Sequence, residues 1–207
     1  MNIYLYILDT MADWEIGYLT AEINSGRFLD KSKPNVNLIK ISNSLTPITS
    51  MGGITILPDK TFNDVTFLEG DVLILPGADT WSDAKNQPVI NSVEILLQQK
   101  VIVASICGST IAIAEKGVFD NKNHTSNNKY FLKMFCPNYK GEDNYIDKPA
   151  VADKNLITAS GLAPLEFTYE IFKTINLMKP ATLEAWFNLH KFKEAQYFYS
   201  LMESLKD

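Results

Sequence analysis

Four short, uninterrupted apolar runs, Asn2 to Leu8, Val72 to Leu75, Val101 to Ser105 and Leu156 to Ala159, alternate with stretches of helical periodicity. Strands apolar on both faces belong in a parallel sheet covered by helices on each side, so this alternation limits the fold more than any other feature. Between the runs, Asp13 is placed to cap a helix carrying Trp14, Tyr18, Ala21 and Ile23 and ending near Gly26. Val89 to Gln99 is amphipathic, Ser109 to Lys116 reads as a helix stopped by Gly117, and Pro164 suits the first turn of a helix reaching Leu177. Val36 to Ile41 adds a strand, while Ile48 to Ser50 and Ile54 to Leu57 flank Met51-Gly52-Gly53 as a hairpin, a small antiparallel extension of the sheet. The expected fold is α/β, a doubly wound, mostly parallel sheet with right-handed crossovers, whose ligands sit at the carboxyl ends of the strands.

At 207 residues the chain suits one such domain over residues 1–179, and Pro180 separates that domain from the C-terminal residues. Leu183, Trp186, Phe187 and His190 then mark one face of a helix, and a further helical stretch runs to Leu205. Residues 180–207 therefore read as a C-terminal helical arm packed on the domain or on a second subunit. A net charge of -5 and a pI near 5.1 argue against nucleic acid, whose affinity comes largely from Lys and Arg. Met1 to Leu8 has no basic flank and its apolar run stops at Asp9, so neither a signal peptide nor a membrane span is expected, and cytoplasm is the default location. The two cysteines, Cys107 and Cys136, lack CxxC spacing, which speaks against a metal site and a structural disulfide.

The segment richest in chemical meaning is Val101-Ile102-Val103-Ala104-Ser105-Ile106-Cys107-Gly108-Ser109-Thr110, a buried strand that must turn sharply into a helix with Cys107 at the turn. A nucleophile elbow needs small residues two positions before and after the nucleophile, and Ser105 and Ser109 meet that need. Amides at the start of the following helix point toward the sulfur, favouring thiolate and offering to hold an oxyanion. Cys136, followed by Pro137, lacks this context and reads as structural.

With Asp13-Trp14-Glu15 after the first strand, Leu73-Ile74-Leu75-Pro76-Gly77-Ala78 and Ser105-Ile106-Cys107-Gly108-Ser109-Thr110, the chain resembles the ThiJ/PfpI family over about residues 1–177. The resemblance implies a flavodoxin-like, class I glutamine-amidotransferase-like fold. It also implies that Glu15 approaches the Cys107 sulfur and that Gly77 and Gly108 provide oxyanion-binding amides. Two adjacent anions repel, so a thiolate at Cys107 would raise the Glu15 pKa and favour a protonated carboxyl donating to sulfur. The histidine that a hydrolase of this pattern wants is His124, downstream of the elbow helix; some relatives carry theirs about three positions later, where this chain has Asn127. His190 belongs to the apolar stripe of the arm and reads as a packing or interface residue. Glutamine amidotransferases carry a His-x-Glu motif where this chain has Gly161-Leu162-Ala163-Pro164-Leu165-Glu166, so glutamine hydrolysis is not expected.

The expected function is a cysteine-dependent hydrolase or lyase on small or peptide substrates, with peptidase, amidase, glyoxalase and deglycase chemistry all implied by the resemblance. The alternative is a stress-response sensor that works by oxidation of Cys107. A ligand-binding module is a third reading, without the helix-turn-helix segment that a transcriptional role would need. No phosphate loop or dinucleotide fingerprint appears and no cofactor is expected. The aromatic arm, with Trp186, Phe187, Phe192, Tyr197 and Phe198, points to a homodimer, as relatives often form.

Overall fold

The computed structural model describes residues 1–206, and the apolar runs form the middle of its sheet. In chain order the elements are β1 (Asn2–Tyr6), α1 (Asp13–Ser25), β2 (Asn37–Ser42), β3 (Ile48–Thr49), β4 (Thr55–Ile56), β5 (Lys60–Thr61), β6 (Val72–Leu75) and α2 (Gln87–Gln98). They continue through β7 (Ile102–Ile106), α3 (Gly108–Ala114), α4 (Lys129–Phe135), β8 (Ala150–Asp153), β9 (Leu156–Ala159), α5 (Pro164–Thr174), α6 (Pro180–Phe192) and α7 (Ala195–Ser204). The seven-stranded sheet has the order β5-β2-β1-β6-β7-β9-β8. Every neighbouring pair is parallel except β8 with β9. Ile3 lies opposite Val72, Leu73 opposite Val103 and Ser105 opposite Thr158, so the central strands run in step. All four residues of β6 are buried, as a strand covered on both faces requires.

Because β1, β6, β7 and β9 are parallel, the residues that follow them emerge at one edge of the sheet. Glu15 at the start of α1, Gly77 after β6, Cys107 after β7 and Gly161 after β9 therefore converge there, where open α/β sheets bind ligands.

Two local expectations need correction. The β3–β4 hairpin is a separate two-stranded sheet and not an extension of the main one. Asp13 is the first residue of α1, after an Ala12 N-cap, and its carboxylate accepts from the Gly52 amide at 2.6 Å, tying α1 to the hairpin turn. The arm packs on the domain, one of the two placements expected of it: Trp186 of α6 is fully buried and donates from Nε1 to Glu22 of α1 at 3.1 Å. Gly26, at φ 64°, closes α1 as a left-handed C-cap, as its sequence position predicts. Among the described residues no helix is long and apolar enough to cross a membrane, and no cluster of His, Cys, Asp and Glu is arranged to hold a metal.

Candidate active site

Cys107 sits between β7 and α3 with φ 60° and ψ -123°, a positive-φ conformation strained for a residue with a side chain. The strain is held in place by buried hydroxyls. Ser109 Oγ meets Ser105 Oγ at 2.7 Å, the Ile106 amide at 3.0 Å and the carbonyls of Leu75 and Ile106 at 2.7 and 2.9 Å. Thr110 Oγ1 donates to the Cys107 carbonyl at 2.5 Å and pairs with Ser126 Oγ at 2.7 Å. These are the small residues that the elbow pattern demands, here also serving as its hydrogen-bonding frame.

Glu15 is fully buried beside the thiol. Its Oε2 accepts from the Gly77 amide at 2.5 Å, while Oε1 is buried without a hydrogen-bond partner. Two glycines make room for this approach. A Cβ on Gly77 would lie 2.7 Å from each Glu15 oxygen and 2.8 Å from Cys107 Cβ; one on Gly161 would lie 2.7 Å from Cys107 Sγ and 3.0 Å from Glu15 Oε1. Any side chain at either position collides with the pair, which is why the backbone must be bare there. Gly108 is confined for another reason, its Cβ direction being only 3.0 Å from the Ala78 carbonyl oxygen.

Asn127 completes the surroundings of the sulfur. Its Oδ1 accepts from the Gly161 amide at 2.8 Å, which fixes the orientation of the side-chain amide and leaves Nδ2 to donate to Cys107 Sγ at 3.3 Å. Beside it a groove of about 340 Å³ is lined by Ser126, Asp147, Lys148, Ser160, Leu162 and Glu166 among others. Trp14, half exposed, donates from its indole to the Gly161 carbonyl at 3.3 Å and flanks the same loop.

Burial pushes the Glu15 carboxyl up to about 7, against smaller lowerings by the Gly77 amide and by the Cys107 thiol. The Cys107 thiol is also pushed up, to about 11, chiefly by burial and further by Glu15, while Asn127 and the Gly108 amide act to lower it. Desolvation thus opposes the thiolate that the helix start favours, and Asn127 and the Gly108 amide work in the helix's direction. Glu15 is raised as expected, but by desolvation.

The structure brings Cys107, Glu15, Gly77 and Gly108 together, though Gly77 commits its amide to Glu15 and does not offer it free to a substrate. His124 does not join them. It is fully buried, stacked on Phe119, with Nδ1 donating to the Lys122 carbonyl at 2.7 Å and Nε2 accepting from the Tyr139 hydroxyl at 2.7 Å. Both ring nitrogens are bonded away from Cys107, to Lys122 and to Tyr139 beyond α4, and burial holds its pKa below the usual imidazole value. His190 packs between Tyr18 and Trp186, and the Cys136 thiol donates to the Ile111 carbonyl at 3.2 Å. Sequence reasoning misses Gly161 as a site residue; its signal is its place just after a strand end, as Gly77 stands after β6.

Comparison with known proteins identifies the family and the fold. The family model described as the DJ-1/PfpI family matches residues 1–174. A Bacillus subtilis protein named "Uncharacterized protease YoaZ" is 41% identical, the match covering 99% of this chain and 97% of that one. A solved ThiJ/PfpI family protein from Bacillus anthracis superposes with a TM-score of 0.96 at 45% identity, covering 99% of this chain and 97% of the other. A DJ-1 superfamily protein from Agrobacterium tumefaciens superposes with a TM-score of 0.81 at 29% identity over 93% of this chain and 98% of the other. With an elbow cysteine, a buried glutamate against it and a sheet of the same kind, the chain belongs to the DJ-1/PfpI family.

Proposed function

We propose that the chain is a cysteine-dependent enzyme acting on small carbonyl compounds, in the manner of a glyoxalase or deglycase, with Cys107 as nucleophile and Glu15 as sole proton carrier. The observation that carries this reading is the buried, unpartnered Oε1 of Glu15 beside the sulfur, on a carboxyl raised to about 7. A general base is most effective when its pKa lies near the working pH, and no imidazole is at hand to share the task. As Cys107 Sγ attacks an aldehyde carbon, its proton passes to Glu15, the C–S bond forms and the carbonyl π pair becomes an oxyanion. Glu15 then returns the proton to that oxygen, giving a hemithioacetal with atoms and charge balanced. On a 1,2-dicarbonyl the same carboxylate then removes the carbon-bound hydrogen of the hemithioacetal, the neighbouring carbonyl oxygen taking up the electron pair and the hydroxyl proton as an enediol forms and collapses, and Glu15 delivers the hydrogen to the neighbouring carbon. The resulting thioester is hydrolysed by water to a 2-hydroxy acid.

Two Bacillus subtilis relatives carry "protease" in their names, and peptide cleavage is the second reading. It is less well supported because expelling an amine calls for an acid near the leaving nitrogen, a place that histidine usually fills. The sensor reading, oxidation of Cys107 without turnover, rests on the thiol alone, with no further group near it that the reading would use.

The test is methylglyoxal consumption by the unmodified chain against pH. Turnover should rise through about pH 7 as Glu15 becomes the carboxylate base, vanish in Cys107→Ser and fall by about a hundredfold in Glu15→Gln. No consumption by the unmodified chain, or full activity in Glu15→Gln, would remove this reading.

A further inference from the structure

The Gly77 amide, which the family resemblance assigns to the oxyanion, is already committed to Glu15 Oε2 at 2.5 Å. That leaves the developing charge with the Gly108 amide and with whatever else reaches the sulfur. The side-chain amide of Asn127 does, with Nδ2 at 3.3 Å from Sγ. An oxygen on a carbon bonded to that sulfur lies about as far from Sγ as a hydrogen bond is long, so a donor held against the sulfur is also within reach of the oxyanion. The orientation of the donor is not left to chance. The Gly161 amide, at 2.8 Å, donates and can bond only the oxygen end of the side chain, and Ser160 Oγ meets the same Oδ1 at 3.5 Å. The fixed donor thus comes with its dipole already aligned, which is what makes such a group effective in the transition state.

We propose that Asn127 is a catalytic residue of this chain: its Nδ2 holds the Cys107 sulfur and then the oxyanion formed on the substrate, taking over the place that Gly77 gives up to Glu15. Asn127 donates and never carries the proton, so the division of labour is strict, with proton movement at Glu15 and charge stabilisation at Asn127. The oxyanion half of this assignment rests on the carbonyl chemistry proposed for Cys107; the sulfur half does not.

The experiment separates the two. Alkylation of Cys107 by iodoacetamide, measured from about pH 7 to about pH 12 in the unmodified chain, in Asn127→Ala and in Asn127→Asp, needs no substrate; Cys107→Ser supplies the blank. Losing the donor should shift the thiolate limb of the profile to higher pH in Asn127→Ala, and further in Asn127→Asp, where a second carboxylate faces the sulfur. Methylglyoxal turnover in Asn127→Ala should fall about a hundredfold in kcat with little change in KM. Should the variants fold poorly, the side-chain amide resonances of Asn127 in the unmodified protein provide the same test: they should move with pH as Cys107 titrates, and be still over that range in Cys107→Ser. An alkylation profile unchanged in Asn127→Ala, or amide resonances indifferent to the cysteine, overturns the assignment. A shifted profile with no methylglyoxal turnover in any form supports the sulfur contact and counts against the carbonyl reading alone.

Discussion

Glu15 is a carboxyl whose charge the fold disfavours, and that makes its ionisation a cost to stability. Its pKa rises from 4.5 to about 7 on folding, so between those values the folded chain binds the proton more tightly than the unfolded one. The stabilisation is full below pH 4.5 and is lost as pH rises through about 7, a change of about 3 kcal/mol. Glu15→Gln keeps an oxygen for the Gly77 amide and removes the charge, so it should be about 3 kcal/mol more stable than the unmodified chain at about pH 8. At about pH 4 the difference should disappear. Urea unfolding at the two pH values measures it; equal stability of the two proteins at the higher pH would mean that Glu15 stays hydrated in solution. Cys107 is legible in the sequence from the strand end and the small residues around it, and Glu15 only through the family resemblance. The roles of Asn127 and Gly161 are not, since the contacts that define them span 20 and 34 residues and depend on where two loops meet.

Among the elements, the elbow depends on one hydroxyl more than on its strand. Ser109 Oγ bonds the Ile106 amide and the carbonyls of Leu75 and Ile106, and so ties the first turn of α3 to β6 as well as β7. Ser109→Ala leaves those buried backbone groups without that partner at a cost of about 2 kcal/mol. It should also slow Cys107 alkylation, because the turn that holds Cys107 at φ 60° loses its frame. Thermal unfolding and alkylation rate together test this, and a stable variant with unchanged alkylation would show that the strand alone enforces the turn. The long central strands and α1, α2 and α5 are legible in the sequence because their apolar pattern is unbroken. The elements missed are those whose sequence argues against them. β8 is Ala-Val-Ala-Asp, poor in strand formers, and exists only by pairing antiparallel with β9. β5 has two residues. Helix α4 leaves Tyr130, Phe131, Met134 and Phe135 exposed, so no buried face marks its period.

For the molecule as a whole, the C-terminal arm is where sequence pattern and structure diverge most in meaning. The pattern shows a break at Pro180 and two helices after it, and these are present, yet the boundary is no seam. Leu183, Ala185, Trp186 and Leu201 are buried, and Trp186 meets Tyr18 of α1 and Phe172 of α5 at ring distances of 6.1 and 5.9 Å. What pattern alone could not separate is the inner face of the arm from its outer one, because aromatic residues occupy both. Phe192, Phe198, Tyr199 and Leu205 are the outer set, all exposed. We propose that this outer face joins two copies of the chain as a homodimer, since that much apolar surface on so short a segment is costly to leave in water. Removing the arm cannot test the idea, because Trp186 would leave the core with it. The double substitution Phe198→Glu with Tyr199→Glu can, as both side chains lie outside that core. Sedimentation should give a dimer for the unmodified chain at micromolar concentration and a monomer for the double variant, with tryptophan fluorescence unchanged between them. A monomer in the unmodified chain ends the proposal, and a dimer that survives the two glutamates moves the interface to another face.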